Sequence, residues 1–202
     1  MSYLRAESGT EVVGVADKLR KQVATLARFG GHALRSNELG EVLQEATQLV
    51  SDAIEVDLVK VLELLPDGQK LLVRAGVNWN PGIVGHATIS AGGGSAAGHA
   101  LRTNTPVISD LATEERFTTP SLLLEHRVKS TVNVVIRGQD GPFGVLEVDS
   151  RERRSFGQDD INFLQNYANL LASTVDRINK QCELAENVKK NSKFCWTNFN
   201  IV

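Results

Sequence analysis

The chain has 202 residues, 42% of them hydrophobic and 23% charged, with a formal net charge of -2. That length suits one domain with extra helices, or at most two small ones, and the composition is that of a soluble globular protein. The charge offers no field for nucleic acid or an anionic membrane, no apolar run is long enough to span a bilayer, and the N-terminus lacks the basic-then-apolar order of a secretory signal.

From about residue 11 to residue 33, the positions Val12, Ala16, Leu19, Val23, Leu26 and Gly30 alternate spacings of four and three. This predicts a helix with a narrow apolar stripe, the pattern of a helix–helix seam. Ser36 or Asn37 can cap a second helix, whose broader stripe (Leu39, Val42, Leu43, Ala46, Leu49, Val50, Ala53, Ile54) suits packing on a sheet. Residues 58–64 read as a strand. Lys60 and Glu63 interrupt it and imply a face that is at least partly solvated. Pro66, Asp67 and Gly68 form a turn, and residues 70–76 return as a second strand. Residues 78–94 form a polar, glycine-bearing loop with a short strand near Ala87, Thr88 and Ile89. Ser95 then caps a short helix ending near Arg102, Pro106 to Ile108 form a brief strand, and a helical turn lies around residues 122–125. Residues 132–136 are β-branched and apolar, residues 138–142 are turn formers, and residues 145–150 form a core strand, so a hairpin is expected. Strands joined by hairpins and long excursions, with helices before and after, predict an α+β domain on an antiparallel sheet of about five or six strands.

The last part begins at Asp159. Ile161, Leu164, Ala168, Leu171, Val175, Ile178, Cys182 and Ala185 repeat every 3.5 residues on average, which predicts a helix pair or bundle. Its early turns are expected on the sheet, and Val175 onward in a seam between two chains. Beyond about Lys189 the composition fits neither period. Both cysteines, Cys182 and Cys195, fall beyond the expected core, so no disulfide framework is expected and a cytoplasmic location is.

Across residues 26–178 the pattern resembles a GAF domain, a small-molecule-sensing module of signalling proteins. The resemblance rests on Gly85; on Ser95, Gly98, Ala100, Leu101, Arg102 and Thr103; on Pro106, Val107 and Asp110; on Lys129 and Ser130; and on Gly144, Val145 and Leu146 with Phe156 and Asp160. It is closest to the GAF domains of bacterial sensor histidine kinases. It implies a GAF-like central antiparallel sheet with helices on one face and long terminal helices, and no catalysis. Residues 1–33 would form a dimerisation and signalling helix, 34–172 the sensor, and 173–202 an exit helix and tail. Cyclic-nucleotide-binding relatives carry an Asn-Lys pair where Asp149 and Ser150 stand here. Bilin-binding relatives need a cysteine inside the domain, and none lies between Met1 and Gln181, so no covalent bilin is expected. The pocket cysteines of free methionine sulfoxide reductases of this fold are missing as well.

The expected ligand site lies between the sheet and residues 78–103, with Trp79, His86, Ser95, His99, Arg102, Ser130 and Val132 as candidate contacts to a small molecule of unknown identity. His86 and His99 lack further ligands at metal-like spacing, so a metal is not expected. A single histidine ligates haem in some relatives of this fold, but nothing in the sequence singles one out, so haem is not expected either and the cofactor is unknown. Glycines 92–94 before Ser95 can cradle a phosphate but lack the Gly-Lys-Ser/Thr ending of a nucleotide loop, and a lid over a pocket explains them as well. Glu147 is expected on a solvated or interfacial face. The expected assembly is an up-down four-helix bundle of two chains, with Val12, Leu19, Val23, Leu26, Leu171, Val175, Ile178 and Cys182 as its seam. A kinase or other output would come from a partner or a longer parent chain. A ligand-free dimerisation module is the alternative.

Overall fold

The protein was analysed as a computed structural model that describes the backbone of residues 4–197 and the side chains of residues 14–188. Two helices, α1 (Leu4–Ala33) and α2 (Leu39–Ile54), lead into the strands β1 (Leu58–Leu64), β2 (Lys70–Val77) and β3 (Thr88–Ser90). Then follow α3 (Ala96–Thr103), β4 (Val107–Asp110), the short α4 (Ser121–Glu125), β5 (Ser130–Gly138), β6 (Gly141–Ser150) and the long α5 (Gln158–Thr197). The strands form one six-stranded antiparallel sheet in the order β3-β2-β1-β6-β5-β4. The hairpins expected at residues 58–76 and 132–150 are both present. The first and last segments of the sheet meet at its centre, where β1 pairs with β6 (Val61 opposite Leu146). Gly144 permits that closeness, because a Cβ there would run into the Leu62 carbonyl.

Strand alternation divides the side chains between two faces. On one face Val59, Val61, Val132, Val134, Leu146 and Val148 join the stripe of α2 and the inner residues of α5 in the main apolar core. Phe29 of α1 enters this core and lies 4.8 Å from the Tyr167 ring. The other face is covered by α3, α4 and the long connections, over a smaller apolar cluster around Leu62, Leu71, Val73, Leu122 and Val145.

The terminal helices run parallel within one chain. Lys18 Nζ meets Asp160 at 2.8 Å, at the start of α5, and Arg177 Nη2 donates to the Ala33 carbonyl at 2.7 Å, at the end of α1. The chain therefore enters the helical layer at one end and leaves at the other, with α2 antiparallel to α1 (Lys21 bonds Glu55). Leu171, Val175 and Ile178, expected at a seam between chains, are buried in this chain's own core. The period of 3.5 residues is met by the domain itself down to Ile178. Leu26 packs partly against the same core, whereas Leu19 and Val23 are 56% and 58% exposed and Cys182 is exposed. The side chains of Val12 and Cys195, and the tail from residue 189, lie outside the described side chains. The cap of α2 also differs: Glu38 holds the capping position without a side-chain bond, while Ser36 Oγ accepts the Glu38 N–H instead.

Candidate functional site

The loop-facing side of the central sheet carries a row of polar residues in cross-strand register. Lys60 of β1 stands opposite Glu147 of β6, which stands opposite Asn133 of β5. One step along, Asp149 of β6 stands opposite Thr131 of β5, which faces Ser109 of β4. All six are at most 3% exposed. Lys60 Nζ donates to Asp149 Oδ2 at 2.7 Å and to Glu147 Oε1 at 2.9 Å. The Trp79 indole lies over the ammonium, 4.3 Å from Nζ to the ring centroid. Two carboxylate contacts and an aromatic face thus occupy the three directions in which an ammonium donates.

The acceptors are not so satisfied. Glu147 Oε2, Asp149 Oδ1 and Asn133 Oδ1 are buried without a donor, while the Asn133 amide spends its N–H on Thr131 Oγ1 at 2.9 Å. A buried acceptor without a partner costs about 1–3 kcal/mol each, so a row of them signals either stored strain or a site made for donors. Electrostatics points the same way. Burial alone would push the Lys60 ammonium down, but the Asp149 and Glu147 charges together hold it above its ordinary value. Burial, followed by the neighbouring Glu147 carboxylate, pushes the Asp149 carboxyl well above its ordinary value against the pull of Lys60. Two carboxylates share one ammonium, and the folded site favours an added positive charge.

Trp79 closes this floor. Its Nε1 donates to the Val59 carbonyl at 3.0 Å, and its ring stacks on His126 at 4.6 Å. It also lies on Gly76, where a Cβ would come within 2.7 Å of the indole. Asn78 precedes it in a left-handed conformation (φ 61°), and Asn78 Nδ2 donates to the Asp57 carbonyl, fixing where the chain turns over the sheet. His126 Nδ1 bonds the Leu122 carbonyl at 2.8 Å, so that nitrogen carries the proton and Nε2 accepts the Asn80 N–H at 3.1 Å. The indole is therefore held by a hydrogen bond to β1, by its contact with Gly76 of β2 and by the tilted His126 ring. On the same side a cleft of about 440 Å³ opens beside Ser90, Ser95, Thr118 and Leu122. Larger open grooves occur elsewhere, for example one of about 560 Å³ beside Asn104, Arg137 and Asn166. Neither the cleft nor that groove is lined by the unpaired buried oxygens of the polar row, which lie beneath Trp79.

Of the residues expected at the site, Trp79 alone touches the polar row. Ser95 lines the neighbouring cleft, but its hydroxyl is engaged as the α3 cap, accepting from Gly98 N and donating to the Ser90 carbonyl. His99 packs on Phe117 at 5.1 Å, His86 is exposed, and Arg102 is exposed with its guanidinium against Gly93. Ser130 and Val132 correct the expectation outright. Their parity on β5 turns them to the helix-covered side, where Val132 joins the main core and Ser130 Oγ accepts the Arg154 N–H. Lys60 and Glu147 are corrected too: neither is solvated. The usable signal was their position, since polar residues alternating with apolar ones in two central strands share a face. Among the described residues no group of three His, Cys, Asp or Glu is placed to hold a metal ion, and no helix is long and apolar enough to cross a membrane.

A model of the GAF domain family matches residues 38–175. No curated protein matches the sequence. Among solved structures, the GAF domain of a phosphoenolpyruvate-protein phosphotransferase from Coxiella burnetii superposes with a TM-score of 0.73 at 15% identity, covering 81% of this chain and 98% of that one. The corresponding domain from Acinetobacter gives 0.69 at 22% identity, covering 80% and 97%. The free methionine-R-sulfoxide reductase from Neisseria meningitidis, solved with its substrate, gives 0.68 at 15% identity, covering 79% and 91%. At these identities the likeness to solved structures is one of fold.

Proposed function

The chain belongs to the GAF domain family, a regulatory and sensory fold, and from that premise we propose that it senses a small molecule and passes its state along α5. The carrying observation is the buried polar row with unpaired oxygens at Asn133, Glu147 and Asp149, on the sheet face opposite α2 and α5. The ligand enters between the sheet and residues 78–103, at the position Trp79 now covers.

The route outward is short and covalent. Asp149 is followed by Ser150 at the end of β6, by Arg151 whose N–H donates to Asp57 Oδ2 at 2.8 Å, by buried Phe156, and then by Asp160 in the first turn of α5. Asp160 ties that turn to α1 through Lys18. A change at the polar row therefore acts on the joint where the entry and exit helices meet. Such a shift can be no larger than the ligand's preference for one arrangement over the other. The apolar stripe Val15, Leu19 and Val23 on α1, with Leu184 and Val188 on α5, is exposed and pairs with a second copy of the chain in a homodimer. Output passes to a kinase or another signalling domain beyond α5.

The test is disulfide or bifunctional cross-linking through Cys182 in a Cys195→Ser background, with and without the ligand identified by native mass spectrometry. Ligand-dependent rates support the relay. Equal rates with binding confirmed leave a dimerisation scaffold as the function.

A further inference from the structure

The surplus at the polar row is one of acceptors and of negative charge, and this bears on what the site takes. Lys60 already pairs with two carboxylates, Glu147 and Asp149, and only its third donor faces the Trp79 ring, so the site's uncompensated charge is negative. Glu147 and Asp149 each spend one oxygen on Lys60 and keep the other bare, on the same face of one strand and two residues apart. Asn133, in register with Glu147, presents a third bare oxygen, and it is an amide rather than an acid. Above them sits a flat aromatic ring, hydrogen-bonded to the Val59 carbonyl and packed against Gly76 and His126. A forked donor with positive charge satisfies the two carboxylate oxygens at once, and the same geometry makes guanidinium–carboxylate pairs short and strong.

Resting on the sensor reading above, we propose that the site takes a small organic cation of the guanidinium or amidinium class, which displaces the Trp79 indole and pairs with Glu147 and Asp149. The cation fork lies against Glu147 Oε2 and Asp149 Oδ1, Asn133 Oδ1 accepts a further N–H, and the ligand's flat body replaces the indole above Lys60. The raised Asp149 carboxyl fits this arrangement, because it reflects the same excess of negative charge that an incoming cation relieves. The charged and titratable groups facing it are Lys60 from β1, Glu147 from its own strand and, beyond Trp79, His126 after α4. A cation paired with the Asp149 carboxylate competes with protonation of that group.

The experiment uses the full chain carrying Trp196→Phe, so that Trp79 is the sole indole. The probes are benzamidine, its neutral isostere benzamide and its anionic analogue benzoate. The expected result is a saturable Trp79 fluorescence change with benzamidine at least tenfold tighter than benzamide, and no response to benzoate. Glu147→Gln should weaken benzamidine at least tenfold while leaving the thermal transition cooperative. Should that variant fail to fold, Trp79→Ala decides by calorimetry, since removing the indole should tighten benzamidine several-fold. Equal binding of benzamide or benzoate, no benzamidine binding to either the wild type or Trp79→Ala, or unchanged affinity in a folded Glu147→Gln protein overturns the proposal. A neutral or anionic molecule found in the site by native mass spectrometry overturns the ligand class and leaves the sensor reading intact.

Discussion

The two faces of the central sheet are built from the same strands and differ in almost everything else. Toward the helices, β1, β5 and β6 present Val59, Val61, Val132, Val134, Leu146 and Val148, closed over by α2 and α5 into a continuous apolar core. Toward the loops, the alternate positions of those strands present Lys60, Thr131, Asn133, Glu147 and Asp149, equally buried. Burial is thus not what separates them. The first face gains from the apolar groups it removes from water, with Tyr167 Oη its unpaired oxygen, whereas the second removes charges from water and leaves Ser109, Asn133, Glu147 and Asp149 each with an unpaired oxygen. A fold selected for stability alone has no use for the second face, and that contrast is what the proposed ligand site rests on.

The largest expected effect comes from unbalancing the polar face. Lys60→Met leaves Glu147 and Asp149 facing each other in a dry site and should cost about 3–5 kcal/mol, read as a fall in urea midpoint. Leu146→Ala, on the opposite side of the same strand, removes a fully buried side chain and should cost about 2–5 kcal/mol, with no direct loss at the site. If Lys60→Met is neutral, the polar row is wetter than its burial implies.

The pH dependence should separate two carboxyls on the loop side. Asp149 is raised in the folded protein, so its contribution to stability is present below the ordinary carboxylate range and is lost as pH rises through its folded value. Glu114 behaves oppositely. The Arg116 guanidinium, beyond the opposing effect of burial, holds it down to about 2, so its contribution is present above the ordinary range and is lost as pH falls toward that value. In thermal melts, Asp149→Asn should flatten the decline of stability toward neutral pH, and Glu114→Gln should flatten the acid limb. Identical pH profiles for both variants and the wild type would remove the electrostatic distinction drawn here.

The smallest effect on stability is expected on the outer face of α1. Leu19→Ser with Val23→Ser touches exposed positions and should change the unfolding free energy by within about 0.5 kcal/mol per site. Sedimentation should nonetheless shift from dimer to monomer. Val175→Lys, by contrast, places a charge in the chain's own core and should unfold the domain rather than split a dimer.

The helices and hairpins were legible because their signals are local. The stripe of α2, the turn at Pro66 to Gly68, and the run of turn formers between β5 and β6 each fit one structure. The seam on α5 was misread for a physical reason: a 3.5-residue period tells a helix to bury one face and does not say against what, and here the sheet and α1 cover it down to Ile178. The site was hidden for a related reason. A charged residue in an apolar strand is usually solvated, and only the register between β1 and β6, set by contacts far apart in sequence, shows that Lys60 meets Glu147 and Asp149. Ser130 and Val132 were misplaced by a single step of parity on β5. Trp79 was legible as a large aromatic beside a glycine-bearing loop, though not what it covers.

The central claim is that the polar face is kept for binding and not for stability, and a urea titration of Lys60→Met/Glu147→Leu/Asp149→Leu against the wild type tests it directly. Replacing a buried charge cluster with apolar groups of similar size is often neutral or stabilising by about 1–4 kcal/mol. The account predicts a urea midpoint for the triple variant equal to or above that of the wild type. A midpoint lower by as much as that of Lys60→Met alone would contradict it, and would make the cluster part of what holds the fold together.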